Sequence, residues 1–305
     1  MNSPKKVNLF MMIYFIWEIT GVQIFITIAA YAIMYLFPDI STKDYCINLM
    51  IIQDAVLLLL PILLGIKLLG ERAPEVISLK GLSLWNIVYI VMTGFLRLPV
   101  MQFISVITSF FCPDTSGEIQ DAVLSADFSV GLLIMAVLPA ILEETLFRGL
   151  IYGSLRKFGT KKAMVLSAFY FGLFHLSGYQ IPYAVLSGII LAIVTEYGGS
   201  IIAPMLLHFT INGTQVASYY YYSSTLAGLS ETAETAITVS DIAYLGIIAA
   251  VFLVLLILTL KGFIRYNKKE REKAKREVFI SEMPEEKEKT RFTDIYFVIN
   301  ILLVG

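Results

Sequence analysis

The sequence predicts an all-α, polytopic membrane protein: a helical bundle of about eight transmembrane helices with both termini cytoplasmic. Three observations carry that prediction. The 305-residue chain is 57% hydrophobic and only 15% charged, a balance suited to lipid rather than water. Apolar runs near or above the ~20 residues that cross a bilayer recur along it, and backbone polar groups in hydrocarbon must be satisfied within each segment, which selects helices. Lysine and arginine, finally, gather on one side of the layout that these runs impose.

The first run, Leu9 to Phe37, follows Lys5 and Lys6. Its flanking charge is that of a signal peptide but its length is not, so it reads as a retained helix, with cleavage near Ala30 to Ala32 as the alternative. Further spans are expected at about 45–66, 85–111, 128–155, 162–176, 181–197, 200–222 and 242–264. The fifth and sixth are short, which suits tilted or shielded helices. Pro139 in the fourth and Pro204 in the seventh predict kinks that neighbouring helices tolerate.

Of the 23 lysines and arginines, 20 fall before the first span, in the connections after the second and fourth, and from Lys261 onward. Short cytoplasmic loops collect such residues, so both termini are assigned to the cytoplasm. The opposite side carries Lys43 and acidic loops with Asp114, Glu118, Asp121, Asp127, Glu231 and Glu234. Tyr219 to Tyr222 form the expected outer aromatic belt. Residues 1–266 are thus a transmembrane bundle, and 267–305 a charged cytoplasmic tail with a short apolar end, IYFVINILLVG, too brief to span. A formal net charge of −1 gives no pull toward nucleic acid, which is not expected as a partner. Cys46 and Cys112 lack metal-ligand spacing and make no disulfide framework. The protein is read as integral and multi-pass, in the cell membrane, with the lipid bilayer and a peptide or membrane-protein substrate as partners.

Ionisable side chains at mid-membrane are costly, so they usually line a cavity and carry function. Glu143 lies 13 residues from Arg156, and His175 lies 14 from Lys161; at ~1.5 Å per residue both are roughly 20 Å deep. His208 and Asn212 lie about 12 and 18 Å along the seventh span from Ser200 by the same rise. Three helices thus bring a carboxylate, two imidazoles and an amide to a similar level. A lone buried histidine is commonly a packing residue, but these are the only two in the chain.

Spacing divides the roles. Glu144 and Arg148 are four apart, share a helix face and can pair, which leaves Glu143, turned by about 100°, available to take a proton. His208 and Asn212 are also four apart and can donate to one ligand oxygen. The set suits hydrolysis of an acyl bond: Glu143 as base toward water, His175 holding that water, and His208 with Asn212 stabilising the oxyanion. No nucleophilic side chain is required, and no G-x-S-x-G occurs. Asp54 and Arg97 are each roughly 18–20 Å deep and are expected to pair across the second and third spans. Glu18 faces the bundle or is solvated, and Glu196 reads as a helix-end residue.

The ordered pattern E-E-x-x-x-R (Glu143, Glu144, Arg148), F-x-x-x-H (Phe171, His175) and H-x-x-x-N (His208, Asn212) resembles the CAAX-protease and bacteriocin-processing (CPBP, or Abi) family of intramembrane glutamic endopeptidases. Each piece alone is weak; all three in order within 70 residues are specific. The likeness covers roughly residues 128–215, the expected catalytic core. It implies a water activated by Glu143 with His175, an oxyanion site from His208 and Asn212, and no cofactor. Glu144, Arg148 and Phe171 support the site, the phenylalanine as a ring packed beside it. The family's eukaryotic-like branch trims prenylated CAAX proteins, while bacterial members are associated with peptide maturation and bacteriocin self-immunity. Three alternatives keep the same residues: a zinc metalloprotease using both histidines and a carboxylate, without H-E-x-x-H; a non-catalytic scaffold or immunity protein that binds a peptide or partner; and a proton-coupled transporter.

Overall fold

A computed structural model describes residues 4–69, 78–114, 124, 126–156, 158–226 and 238–281. Eight helical rods fall in these stretches. Rod α1 is built from Pro4–Ile16, a π-helical Trp17–Val22 and Gln23–Leu36; α2 from Thr42–Asp54, a π-helical Ala55–Leu59 and Leu60–Leu69. Rod α3 joins Leu84–Leu96 to Leu98–Ser109 through Arg97. Rod α4 runs through Phe128–Leu132, π-helical Leu133–Val137, Leu138–Glu144, π-helical Thr145–Tyr152 and Gly153–Arg156. Then come α5 (Thr160–Phe174), α6 (Ile181–Gly198), α7 (Ile202–Leu226) and α8 (Val239–Ser281).

Local chemistry sets the ends. Ser41 and Ser83 cap α2 and α3 by accepting from the backbone N–H groups of Asp44 and Asn86, at 3.1 and 3.2 Å. Gly199, at φ 66°, closes α6 in the left-handed conformation that glycine adopts without a Cβ clash. Pro139 follows the π-helical turn of α4 directly, as expected where a missing N–H and a bulky ring disturb the ladder. Pro204 gives no such break. Because α7 begins at Ile202, this proline sits in the first turn, where its N–H would be unpaired anyway.

Among the described residues, α1, α2, α3, α4, α6 and α8 are long and apolar enough to cross a membrane. The other two rods differ for physical reasons: α5 has 15 residues, and α7 has 25 but carries His208, Asn212 and a run of hydroxyl side chains. Eight rods therefore stand where eight spans were expected, and six of them meet both criteria. Leu9, Ile16 and Ile28 on α1 and Val251, Val254 and Leu258 on α8 are more than half exposed. An apolar exterior of this kind is what lipid requires. The protein is a multi-pass integral membrane protein.

The interior centres on α4 to α7, with Phe10 and Tyr14 of α1, Leu58 and Ile62 of α2 and Ile90 of α3 packed into the same core. Along α4, Leu146 to Tyr152 are buried on every side. Small residues let α5 and α6 close: a Cβ on Gly172 would clash with Val185 Cγ2, and one on Gly188 would lie 2.9 Å from the Ala168 Cα. The chain forms two compact units, Met1–Ile264 and Arg265–Gly305. Within the second, residues 265–281 are helical, with Lys273 and Glu277 paired at 3.9 Å on the exposed face. Arg72, Lys157, Glu118, Asp121, Glu231, Glu234 and residues 282–305 lie outside the described residues, as does the Cys46 side chain. Cys112 is a free thiol.

Candidate active site

Three rods supply the site residues that the sequence singles out. Glu143 and Glu144 end the α-helical part of α4, and Arg148 lies in the π-helical turn that follows. Phe171 stands one turn before the end of α5, and His175 just beyond it. His208 and Asn212 are one turn apart on α7. Glu144 and Arg148 are fully enclosed, and Glu143 and His208 nearly so, while His175 and Asn212 are partly open.

Glu144 is the organising carboxylate. Its Oε1 accepts from Arg148 Nη1 at 2.9 Å and lies 2.8 Å from His208 Nδ1. The arginine therefore neutralises the carboxylate, and the carboxylate orients the imidazole through Nδ1–H, which turns Nε2 away from it. The helix spacing predicted the Glu144–Arg148 contact; the link onward to His208 joins two rods and has no signature in local sequence. Arg148 also donates through Nη2 to the Gly188 carbonyl at 3.2 Å, and its guanidinium carbon lies 4.3 Å from the Phe171 ring centroid. That ring helps hold a buried cation by cation–π attraction.

Phe171 is more than packing. Its ring meets those of Phe147, His175 and His208 edge-on, at 5.2, 5.1 and 5.9 Å between centroids. Its carbonyl accepts from His175 Nδ1 at 2.9 Å. A carbonyl can only accept, so the proton sits on Nδ1 and Nε2 carries a lone pair. His175 is thereby fixed in one tautomer and presents an acceptor.

Glu143 points one oxygen into this cluster without satisfying it. Its Oε2 is buried and accepts no hydrogen bond, and it lies 3.9 Å from His208 Nε2. That gap is too long for a direct bond but lets one oxygen atom touch both groups from the side. His175 was the expected partner of Glu143, yet the two share no hydrogen bond; the imidazole in contact range is His208. Asn212 does not meet Glu143 either. Its Nδ2 donates at 2.9 Å to the carbonyl of Met135, in the first π-helical turn of α4, which leaves its second amide hydrogen unused by that bond. Beside it, Met135, Asn212, Gln215, Val216 and Tyr219 line a pocket of about 30 Å³, enough for one or two waters.

Sequence reasoning missed part of the surroundings. Glu18 is 5% exposed with an unpartnered Oε2, and Tyr14 is 1% exposed with an unpartnered hydroxyl. The expected Asp54–Arg97 pair is absent. Arg97 donates instead to Ser187 Oγ at 2.9 Å, because α3 packs on α6 at that level. Glu196, read as a helix end, holds α6 to α4: it accepts from Tyr152 and Arg156, each at 2.6 Å. Of the two readings open for Glu18, the one facing the bundle holds.

Residues 125–214 match the family model described as type II CAAX prenyl endopeptidase Rce1-like. The chain carries an Rce1-like domain over that segment, which contains every residue of the cluster. No curated protein and no solved structure matches the chain.

Proposed function

We propose that this chain, through its Rce1-like domain, hydrolyses a peptide bond within the membrane with a water activated by Glu143. The observation that carries this reading is the unsatisfied Glu143 Oε2 facing the Nε2 of an imidazole that Glu144 and Arg148 hold in place. A carboxylate in a water-poor pocket is a strong acceptor for a water proton. His175 offers Nε2 as a second acceptor to hold that water, since its Nδ1–H is committed to the Phe171 carbonyl.

Attack of the water oxygen on the carbonyl carbon puts negative charge on the carbonyl oxygen. The Glu144–Arg148 pair holds the His208 ring so that its Nε2 edge is turned toward that oxygen. Asn212 supplies its remaining amide hydrogen. Proton return from Glu143 to the leaving nitrogen completes the cycle. A peptide whose end enters the bundle is the substrate class, as the family description suggests.

A zinc site needs three converging donors, and among the described residues no such group of His, Cys, Asp and Glu is assembled. The test uses the full chain in lipid nanodiscs and a farnesylated CAAX-type fluorogenic peptide. Cleavage that survives EDTA and disappears in Glu143→Gln supports the water mechanism. Activity abolished by chelation and restored by Zn²⁺ would reassign it to a metal, and cleavage persisting in Glu143→Gln would remove this carboxylate from the reaction.

A further inference from the structure

Arg97 is a buried cation that the proposed reaction does not use. It lies in the apolar span Leu84–Ser109, 13 residues from one end and 12 from the other, so it is about 18–20 Å from either by helical rise. It is 7% exposed, which means it does not extend to the membrane surface. Among the described residues it makes no ion pair. Nη1 donates to Ser187 Oγ at 2.9 Å, and Nε is buried without an acceptor.

We infer that Arg97 binds the terminal carboxylate of the peptide substrate. The inference rests on the peptidase reading above and adds the group by which the substrate is recognised. Its first support is the way the guanidinium is held. Ser187 takes Nη1 and is itself oriented by donating to the Tyr183 carbonyl at 2.7 Å. The opposite edge, Nε with Nη2, is the edge that grips a carboxylate through two parallel bonds.

Its second support is position. Ser187 and Gly188 are consecutive on α6; Arg97 approaches the first and Arg148 the second, at 2.9 and 3.2 Å. The two guanidiniums thus meet α6 one residue apart, about 1.5 Å in rise. On the other side, Gly94, one turn before Arg97, is packed on α7: a Cβ there would lie 2.6 Å from Thr210 Cγ2 and 3.6 Å from Leu207. Those residues flank His208. Arg97 therefore stands at the depth of the site, between the rod that anchors Arg148 and the rod that carries His208 and Asn212.

Two sources of anion are available in a membrane: a lipid phosphate and a peptide carboxylate. A phosphate belongs to the headgroup layer, whereas Arg97 lies at mid-span. Only a group delivered by the substrate itself reaches it there.

The experiment compares one farnesylated CAAX-type peptide as its free acid and as its C-terminal amide, using the full chain in phosphatidylcholine nanodiscs. The wild type is expected to cleave the acid at least about tenfold faster, the usual weight of a charge-assisted pair. In Arg97→Gln that ratio should fall toward one, and Arg97→Lys, which keeps the charge and guards against a folding defect, should retain part of it. Equal rates in the wild type, or an unchanged ratio in Arg97→Gln, would overturn the inference. Binding of the same pair to Glu143→Gln separates this inference from the peptidase reading. If the wild type cleaves neither probe, that reading fails for prenylated peptides, yet tighter binding of the acid that is lost on adding Arg97→Gln still supports the carboxylate site. Equal binding, or none, rejects it. Loss of acid binding on adding phosphatidylglycerol, in an Arg97-dependent way, would identify the anion as a lipid phosphate and overturn the assignment.

Discussion

Arg148 and Arg97 are both buried cations near the middle of membrane rods, and the protein treats them oppositely. Arg148 has a carboxylate at 2.9 Å, a carbonyl at 3.2 Å and an aromatic ring beneath it. Arg97 has one serine hydroxyl. The difference teaches how to read charge in a bilayer. A cation whose counter-ion comes from its own helix holds the architecture in place; one left with a neutral acceptor is set up for an anion from elsewhere.

Breaking the first arrangement should have the larger effect on stability. Arg148→Met leaves the buried Glu144 carboxylate without its cation and with only the His208 ring as partner, a loss of about 3–5 kcal/mol, read as a large drop in melting temperature in detergent. The companion double variant Glu144→Leu with Arg148→Met should recover most of that stability, since replacing a buried pair by apolar groups is often neutral; a double variant as unstable as the single one contradicts the pairing account. Next in size is Gly188→Ala. The added methyl meets the Ala168 backbone at 2.9 Å and displaces the residue that receives Arg148, which should cost about 1–3 kcal/mol and lower activity with it.

Arg97→Met sharpens the contrast. Because no carboxylate is orphaned by removing Arg97, thermal stability should change by no more than about 1 kcal/mol, the worth of one hydrogen bond. A fall as large as that of Arg148→Met would mean that Arg97 is a structural cation after all. Smallest is Arg156→Gln, whose pair with Glu196 is 47% exposed on the arginine side. Screened pairs of this kind contribute about 0–1 kcal/mol, and a shift within that range is expected at moderate salt.

The helical class and the rod positions were legible because lipid demands long apolar runs, and α1 to α4 and α8 follow them. The candidate site was legible where contacts are local. Glu144 with Arg148 obeys four-residue spacing, and equal depth brought His175, His208 and Asn212 to the right level. Depth does not fix azimuth, however. His208 Nε2 comes within 3.9 Å of Glu143, Asn212 donates to the Met135 carbonyl, and Arg97 donates to Ser187 rather than pairing with Asp54. The acidic residues of α1, α2 and α4 also stand where those rods leave regular helix. Glu18 sits in a π-helical turn, and Asp54 and Glu144 each immediately precede one. The wider turn shifts the register that a 3.6-residue helix assumes. Such turns are common at functional sites, and nothing in local composition announces them here.

The central claim is that Glu143 activates the water that cuts a peptide bond inside the bilayer. Its most direct test is quantitative mass spectrometry of peptide termini in intact membranes that contain the wild-type chain or Glu143→Gln at equal abundance. The account predicts a set of new C-termini that falls about 10²- to 10⁴-fold in the variant, the usual weight of a general base. Identical termini in the two membranes, with both proteins folded, would contradict it.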